Sequence, residues 1–343
     1  LLYPAKDLIF YSADIHSNLL VQQRITVLKA LAQGESVTVI TTMGGCMDHL
    51  LPLERLGAEV LHIESDSPFD MDAAKIKLTE MGYERVSQVE GSGQFAVRGG
   101  IMDIFPLTEE NPVRIELWGD EVDSIRSFDV ESQRSIENLD QVHIYPANEV
   151  IGGRERIDRA IARMEKEVAR LYETFRREMK TEEAFRLKTL LEETKERLLD
   201  FQGTMGLDAL VDYLYEDTVS FIDYFRDKKA LFVLDEPHRL MEEAQAIEQE
   251  FRESMSNRLE KGYVLPGQMN ILFGAQDTVG RLNRTACMGL CTLEAPKGHW
   301  QVGERFSLDV RAVNPYNNSF ELLVKDLKKW KKDGYQVILL SGS

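Results

Sequence analysis

Val113-Arg114-Ile115-Glu116-Leu117-Trp118-Gly119-Asp120-Glu121-Val122-Asp123-Ser124-Ile125-Arg126-Ser127-Phe128 reads as two strands joined by a tight turn. Val113, Ile115 and Leu117 alternate with Arg114, Glu116 and Trp118, the period of two of a half-buried strand. Gly119-Asp120 fits a two-residue hairpin turn, and Glu121 to Phe128 returns. The all-aliphatic face belongs to the core, so Arg114, Glu116 and Trp118 share the outer face. Phe95 to Arg98 repeats the arrangement, with Phe95 and Val97 inward and Arg98 outward, and Ile101 to Phe105 and Val142 to Tyr145 add two more short strands. Gly91-Ser92-Gly93 and Gly99-Gly100 fail the dinucleotide spacing G-x-G-x-x-G and lie between strands, which makes them turn and bulge glycines. Asp70 caps a short helix through Met81, which Gly82 ends. Residues 66–149 therefore form a compact β-rich unit closed by Pro146.

The flanks have a different character. Within 1–65, Asp7 to Tyr11 reads as a strand and Asn18 to Ala32 as a helix with Leu19, Leu20, Ile25, Leu28 and Leu31 on its apolar face. Gly34 stops that helix, and Ser36 to Thr42 is a nearly continuous β-branched run, the pattern of a strand covered on both faces. Strand, helix and buried strand in this order point to a parallel α/β sheet. Across 150–303, Ile157, Ile161, Met164, Val168, Leu171 and Phe175 form the stripe of a long helix, and a second helix over Thr181 to Phe201 makes a helical hairpin, read as a packing element. Ala230 to Leu234 is an apolar strand that restores the α/β character, so the β-rich unit is an insertion. Residues 304–343 begin another α/β domain: a strand near Phe306, a helix from Ser319 to Lys332, Gly334, and a strand over Gln336 to Leu340. The chain starts without an initiator Met or a signal-peptide core and stops just after that strand, so a piece of a longer protein is expected.

Of the 343 residues, 43% are hydrophobic and 29% charged, enough apolar surface for folded cores and not for a disordered chain. The formal net charge of −17 opposes a primary role in coating a phosphate backbone. No apolar run approaches the ~20 residues needed to span a bilayer, so no membrane partner is expected. The three cysteines, Cys46, Cys287 and Cys291, complete no zinc motif, suit a reducing cytoplasm and read as buried thiols.

The strand ending in Leu234-Asp235-Glu236-Pro237-His238 has the form of a Walker B element, in which Asp235 would hold Mg²⁺ through water and Glu236 would orient the attacking water. Its companion, G-x-x-x-x-G-K-[ST], is missing, since the chain has no Gly-Lys dipeptide. Asp235 and Glu236 thus read as a degenerate acidic edge; the alternative is an ATPase half-site completed elsewhere. His16, His49, His62, His143 and His299 are dispersed and read as structural or solvated, so neither a catalytic constellation nor a metal site is expected. The outer face carrying Arg98, Arg114 and Trp118 is more informative, because Trp and Arg dominate interface hot spots. Partner contact is one reading of it; a Trp lying flat under a neighbouring helix beside surface arginines is the other.

Gly93-Gln94-Phe95-Ala96-Val97-Arg98-Gly99-Gly100-Ile101-Met102-Asp103-Ile104-Phe105-Pro106 resembles a segment shared by the bacterial excinuclease protein UvrB and the transcription-repair coupling factors, and Arg114 to Arg126 continues the likeness. Phe128-Asp129-Val130-Glu131-Ser132-Gln133-Arg134 and the Pro at 237 resemble the coupling factors more. The likeness covers essentially the whole chain. It implies a UvrB-like module: a degenerate helicase-like α/β domain lacking its P-loop, an inserted β-rich α+β domain and a helical hairpin. It implies a cytoplasmic, non-catalytic role in nucleotide excision repair, the inserted domain recruiting the damage-sensing excinuclease ATPase, UvrA, to RNA polymerase stalled at DNA lesions. Carried over position by position, the recruiting residues fall on Arg98, Arg114 and Trp118, the last replacing a Phe usual in some relatives. The resemblance implies no cofactor here; ATP, Mg²⁺, DNA translocation and polymerase contact would belong to domains outside this chain. A helicase-like ATPase fragment and a DNA-binding module are the alternatives.

Overall fold

The computed structural model describes residues 1–6, 18–199, 207–226, 228–293, 298–308, 312–313, 315–317 and 319–338. They divide into two units, Leu1–Trp300 and Gln301–Ser343. In the first, β1 (Leu2–Tyr3), α1 (Asn18–Ala32) and β2 (Ile40–Thr41) follow one another, and the two strands pair in parallel. The bounds of α1 are those its apolar pattern predicts. β2 is shorter than the expected strand over 36–42, and Ile40 is exposed. A β-branched run sets a capacity for strand, and the neighbours available for pairing set its length. The strand expected over Asp7 to Tyr11 lies outside the described residues. α2 (Met43–Met47), capped by the Thr42 hydroxyl, is buried throughout, and α3 (Leu53–Ala58) leads to β3 (Leu61–Glu64).

α4 (Met71–Glu80) begins where the Asp70 carboxylate accepts the Asp72 and Ala73 backbone N–H groups, and Gly82 ends the turn at φ +96°. Next come β4 (Glu84–Arg85), β5 (Gln94–Arg98), β6 (Ile101–Phe105), β7 (Val113–Trp118), β8 (Glu121–Phe128) and β9 (Ser135–Leu139). They build one six-stranded sheet in sequence order, parallel at β4–β5 and antiparallel beyond. Phe95, Met102, Ile104, Val113, Ile115 and Ile125 pack from its inner face with Leu78 and Met81. β9 gives no alternation signal, because Ile136 is exposed and the strand is held by its ladder with β8 instead of by burial. β10 (Gln141–Ile144) leaves this sheet and pairs antiparallel with β3. The boundary expected between residues 65 and 66 therefore falls just after a strand whose partner lies within the insertion.

α5 (Arg154–Arg177) and α6 (Thr181–Leu199) form the expected hairpin, with Ile157, Met164, Val168 and Phe175 of the stripe buried against Leu187 and Leu191. α7 (Val211–Leu214), β11 (Phe232–Asp235), α8 (Pro237–Glu260), α9 (Ala275–Leu282) and β12 (Cys287–Leu290) complete the unit, with β11 and β12 parallel. The architecture is mixed α/β. Among the described residues the parallel pairing of the flanks takes the form of two separate two-stranded ladders, where one continuous sheet was expected. Cys46 is buried as expected, but Cys287, on the uncovered β12, and Cys291, just after it, are exposed. In the second unit α10 (Phe320–Lys332) matches the expected helix, whereas 306–308 and 335–338 are not in strands and 339–343 lie outside the described residues.

A buried charged cluster joins distant parts of the first unit. Arg24 of α1 donates to both Glu149 carboxylate oxygens at 2.9 Å, to the Tyr3 hydroxyl at 2.7 Å and to the Pro4 carbonyl at 2.7 Å, and pairs with Asp48 at 2.8 Å. Lys6 lies 2.6 Å from both Glu149 and Asp208. Burial alone would push the Glu149 carboxyl up; Arg24 and Lys6 outweigh it and hold the group down at about 2. Glu149 follows β10 closely, so this cluster fixes the exit of the insertion to α1 and β1.

Candidate partner-docking surface

Two cross-strand rows define the outer face of the six-stranded sheet. Ala96, Asp103, Arg114, Arg126 and Asn138 stand opposite one another on β5 to β9, and Arg98, Ile101, Glu116 and Ser124 form the next row on β5 to β8. Asp103 sits between the arginines and is 2% exposed. Its Oδ1 accepts from Arg114 Nε at 2.7 Å, and its Oδ2 accepts from Arg114 and Arg98 Nη2 at 2.8 Å each. Arg126 pairs with Glu116, which also accepts from the Ser124 hydroxyl at 3.4 Å. Within these two rows three guanidiniums meet two carboxylates, and Glu121 stands opposite Trp118 in the row beyond.

Trp118 is 84% exposed at the end of β7. It precedes the turn glycine Gly119 (φ +64°) as Arg98 precedes Gly99 (φ +60°). Leu117 N donates to the Gly100 carbonyl at 2.8 Å, so the two turns lie side by side with Arg98 and Trp118 at one end of the sheet. A Cβ on Gly100 would press to 3.3 Å on the Leu117 carbonyl oxygen, which keeps that approach for glycine. Trp118 does not lie under a helix.

Arg114 departs from the expectation of a solvent-facing guanidinium. Its side chain is only 15% exposed, and it is held by Asp103, by Gln133 Oε1 at 2.9 Å and by the Phe128 ring 4.4 Å beneath it. The hydrogen bonds to Asp103 raise its pKa further, against the effect of burial. The side chain of Arg98 is 47% exposed and spends one nitrogen on Asp103, which leaves donors free for another molecule. The structure thus places Arg98 and Trp118 at one end of the sheet as exposed groups, and ties the covered Arg114 to Arg98 through Asp103. Sequence reasoning passed over Asp103 and Gln133. The signal for Asp103 was an acidic residue at an outward strand position between two arginine-bearing strands. Gln133 carried none, since it reaches Arg114 from a turn at φ +58°.

Asp235 ends β11 as its pattern predicts, but Glu236 (φ +50°) accepts from both the backbone N–H and the hydroxyl of Thr292, at 2.8 and 2.5 Å. Those bonds hold its carboxyl below the usual range. One carboxylate of this edge is thus already engaged, and the sequence has no Gly-Lys dipeptide to supply a phosphate-binding loop. Among the described residues no group of three His, Cys, Asp or Glu side chains could hold a metal. His49 pairs with Asp212 at 2.8 Å, and His62 packs on His143 across the β3–β10 ladder at 4.5 Å; His16 lies outside the described residues. No described helix is long and apolar enough to cross a membrane.

Residues 61–150 match the UvrB interaction domain family, a stretch that runs from the first residue of β3 to just past Glu149. Over its whole length the chain is 32% identical to the transcription-repair-coupling factor of Bacillus subtilis, covering 29% of that protein. It is 32% identical to the Staphylococcus epidermidis factor and 30% to that of Staphylococcus aureus, with 98% of this chain and 28% of each relative covered. The chain therefore spans under a third of the length of these relatives.

Proposed function

The chain belongs to the transcription-repair-coupling factor family, and we propose that it acts as a non-catalytic docking module that recruits nucleotide excision repair through the excinuclease ATPase UvrA. The observation that carries this reading is a bare indole, Trp118, at the same end of the sheet as a half-exposed guanidinium, Arg98, that a buried carboxylate holds in place. An exposed indole offers large apolar area at small conformational cost, and an anchored arginine gives a directed, charge-assisted hydrogen bond. The flanking α/β part serves as a helicase-like scaffold without a working phosphate loop. In the intact, cytoplasmic protein, ATP-driven DNA translocation with Mg²⁺ and contact with stalled RNA polymerase belong to sequence outside this chain.

Calorimetric titration with purified UvrA tests the reading. Trp118→Ala should weaken binding about 30-fold, equivalent to ~2 kcal/mol, and Arg98→Ala about tenfold. Phe185→Ala, which removes an exposed aromatic from α6, should leave it unchanged. Unaltered affinity for a folded Trp118→Ala variant would refute the docking face. ATP turnover by this chain that Glu236→Gln abolishes would refute the non-catalytic role.

A further inference from the structure

The two strands that end near Asp235 and Glu236 begin at a basic cleft. It measures about 440 Å³ and lies where the chain enters β11 and β12, lined by Arg226, Lys228, Lys229 and Arg284 with Leu231 and Phe232. No carboxylate lines it among the described residues; Asp227, between Arg226 and Lys228 in the sequence, lies outside them. Two of its cations are committed. Lys228 donates to the Leu31 carbonyl at the end of α1 at 2.8 Å, and Arg226 shares Asp223 at 2.7 Å. Lys229 and Arg284 line the cleft, exposed, with no ion pair among the described residues. Phe225 and Phe232 meet edge to face at 5.4 Å, and exposed Leu231 extends the apolar side.

Cations gathered in one cleft repel each other, and an anion seated between them relieves that repulsion. A guanidinium matches the geometry of a phosphate, and an apolar or aromatic wall beside it suits the face of a base. The cleft is too small for a duplex. We propose that it binds a nucleotide unit, its phosphate between Lys229 and Arg284 and its base against the Leu231 and Phe225 side. The inner edge of the cleft at Phe232 lies about 10 Å from Asp235 at the other end of β11, at ~3.3 Å per residue, so the site is separate from that acidic edge. It is independent of the sheet that carries Trp118.

Fluorescence anisotropy with a labelled oligothymidine of roughly ten nucleotides and with labelled ATP tests the site, with inorganic phosphate as competitor. Binding should weaken about tenfold between 50 and 200 mM salt, as expected for two or three phosphate contacts on a single strand. The Lys229→Glu/Arg284→Glu variant, with circular dichroism confirming its fold, should lose at least ~tenfold in affinity. Tighter binding of the oligonucleotide identifies a single strand as the ligand, and tighter binding of ATP a free nucleotide; either supports the site. Absence of saturable binding, equal affinity for the double variant, or competition by inorganic phosphate as effective as by nucleotide would overturn it.

Discussion

Replacing Glu149 by Gln removes the one carboxylate shared by Arg24 and Lys6. Its carboxyl sits at about 2 in the folded protein against an ordinary value of 4.5. At 1.36 kcal/mol per pKa unit that difference contributes ~3 kcal/mol at neutral pH. The figure agrees with the 3–5 kcal/mol typical when one member of a buried ion pair is deleted. Because the folded value is depressed, the stabilisation is complete above the unfolded pKa and is lost as pH falls from 4.5 towards 2. Urea unfolding followed by circular dichroism at pH 7 should therefore show Glu149→Gln less stable than its parent by about 3 kcal/mol. The gap should narrow to about half or less by pH 3 and vanish only below pH ~2. A variant within ~1 kcal/mol of the parent at pH 7, or a gap that stays constant with pH, would refute the assignment of that stability to the cluster.

Three further outcomes can be checked independently. Asp103→Asn should cost about 3 kcal/mol in the same unfolding assay, because it strands the covered Arg114, whereas Arg98→Ala should cost under ~1 kcal/mol because its pair is half exposed. In the native protein a thiol reagent should titrate Cys287 and Cys291 promptly and spare Cys46, whose thiol is buried and pushed up to about 12, until denaturant is added. Gly262→Ala should lower stability by about 2–4 kcal/mol, since φ is +74° and a Cβ there would collide with the Glu183 carbonyl oxygen; a melting temperature equal to that of the parent would contradict it.

What could be read in advance followed from periodicity. The alternation in Val113 to Trp118 located β7 and its outward residues, and the stripe from Ile157 to Phe175 located α5, because each pattern records a single buried face. β9 was illegible for the opposite reason: it has no buried face, and its order comes from hydrogen bonds to β8. The split between presented and supporting arginines was also hidden. Arg98 and Arg114 share an outer-face position in the pattern, and only the cross-strand neighbours of Asp103 decide that one is covered and the other half open. The exposure of Cys287 and Cys291 escaped composition, since a thiol on or just after an uncovered strand looks the same in sequence as one in a core.

The β3–β10 ladder sets Leu61 directly opposite Ile144, so the polypeptide comes back to where it left. To the surrounding scaffold, everything between those residues amounts to a short stitch. The entropy of closing that excursion depends only weakly on its length and is met by the stitch itself. Hairpins at the far side can therefore lengthen, shorten or change their tips while the host keeps its packing, which gives a lineage freedom to retune what the tips grip without rebuilding what holds them.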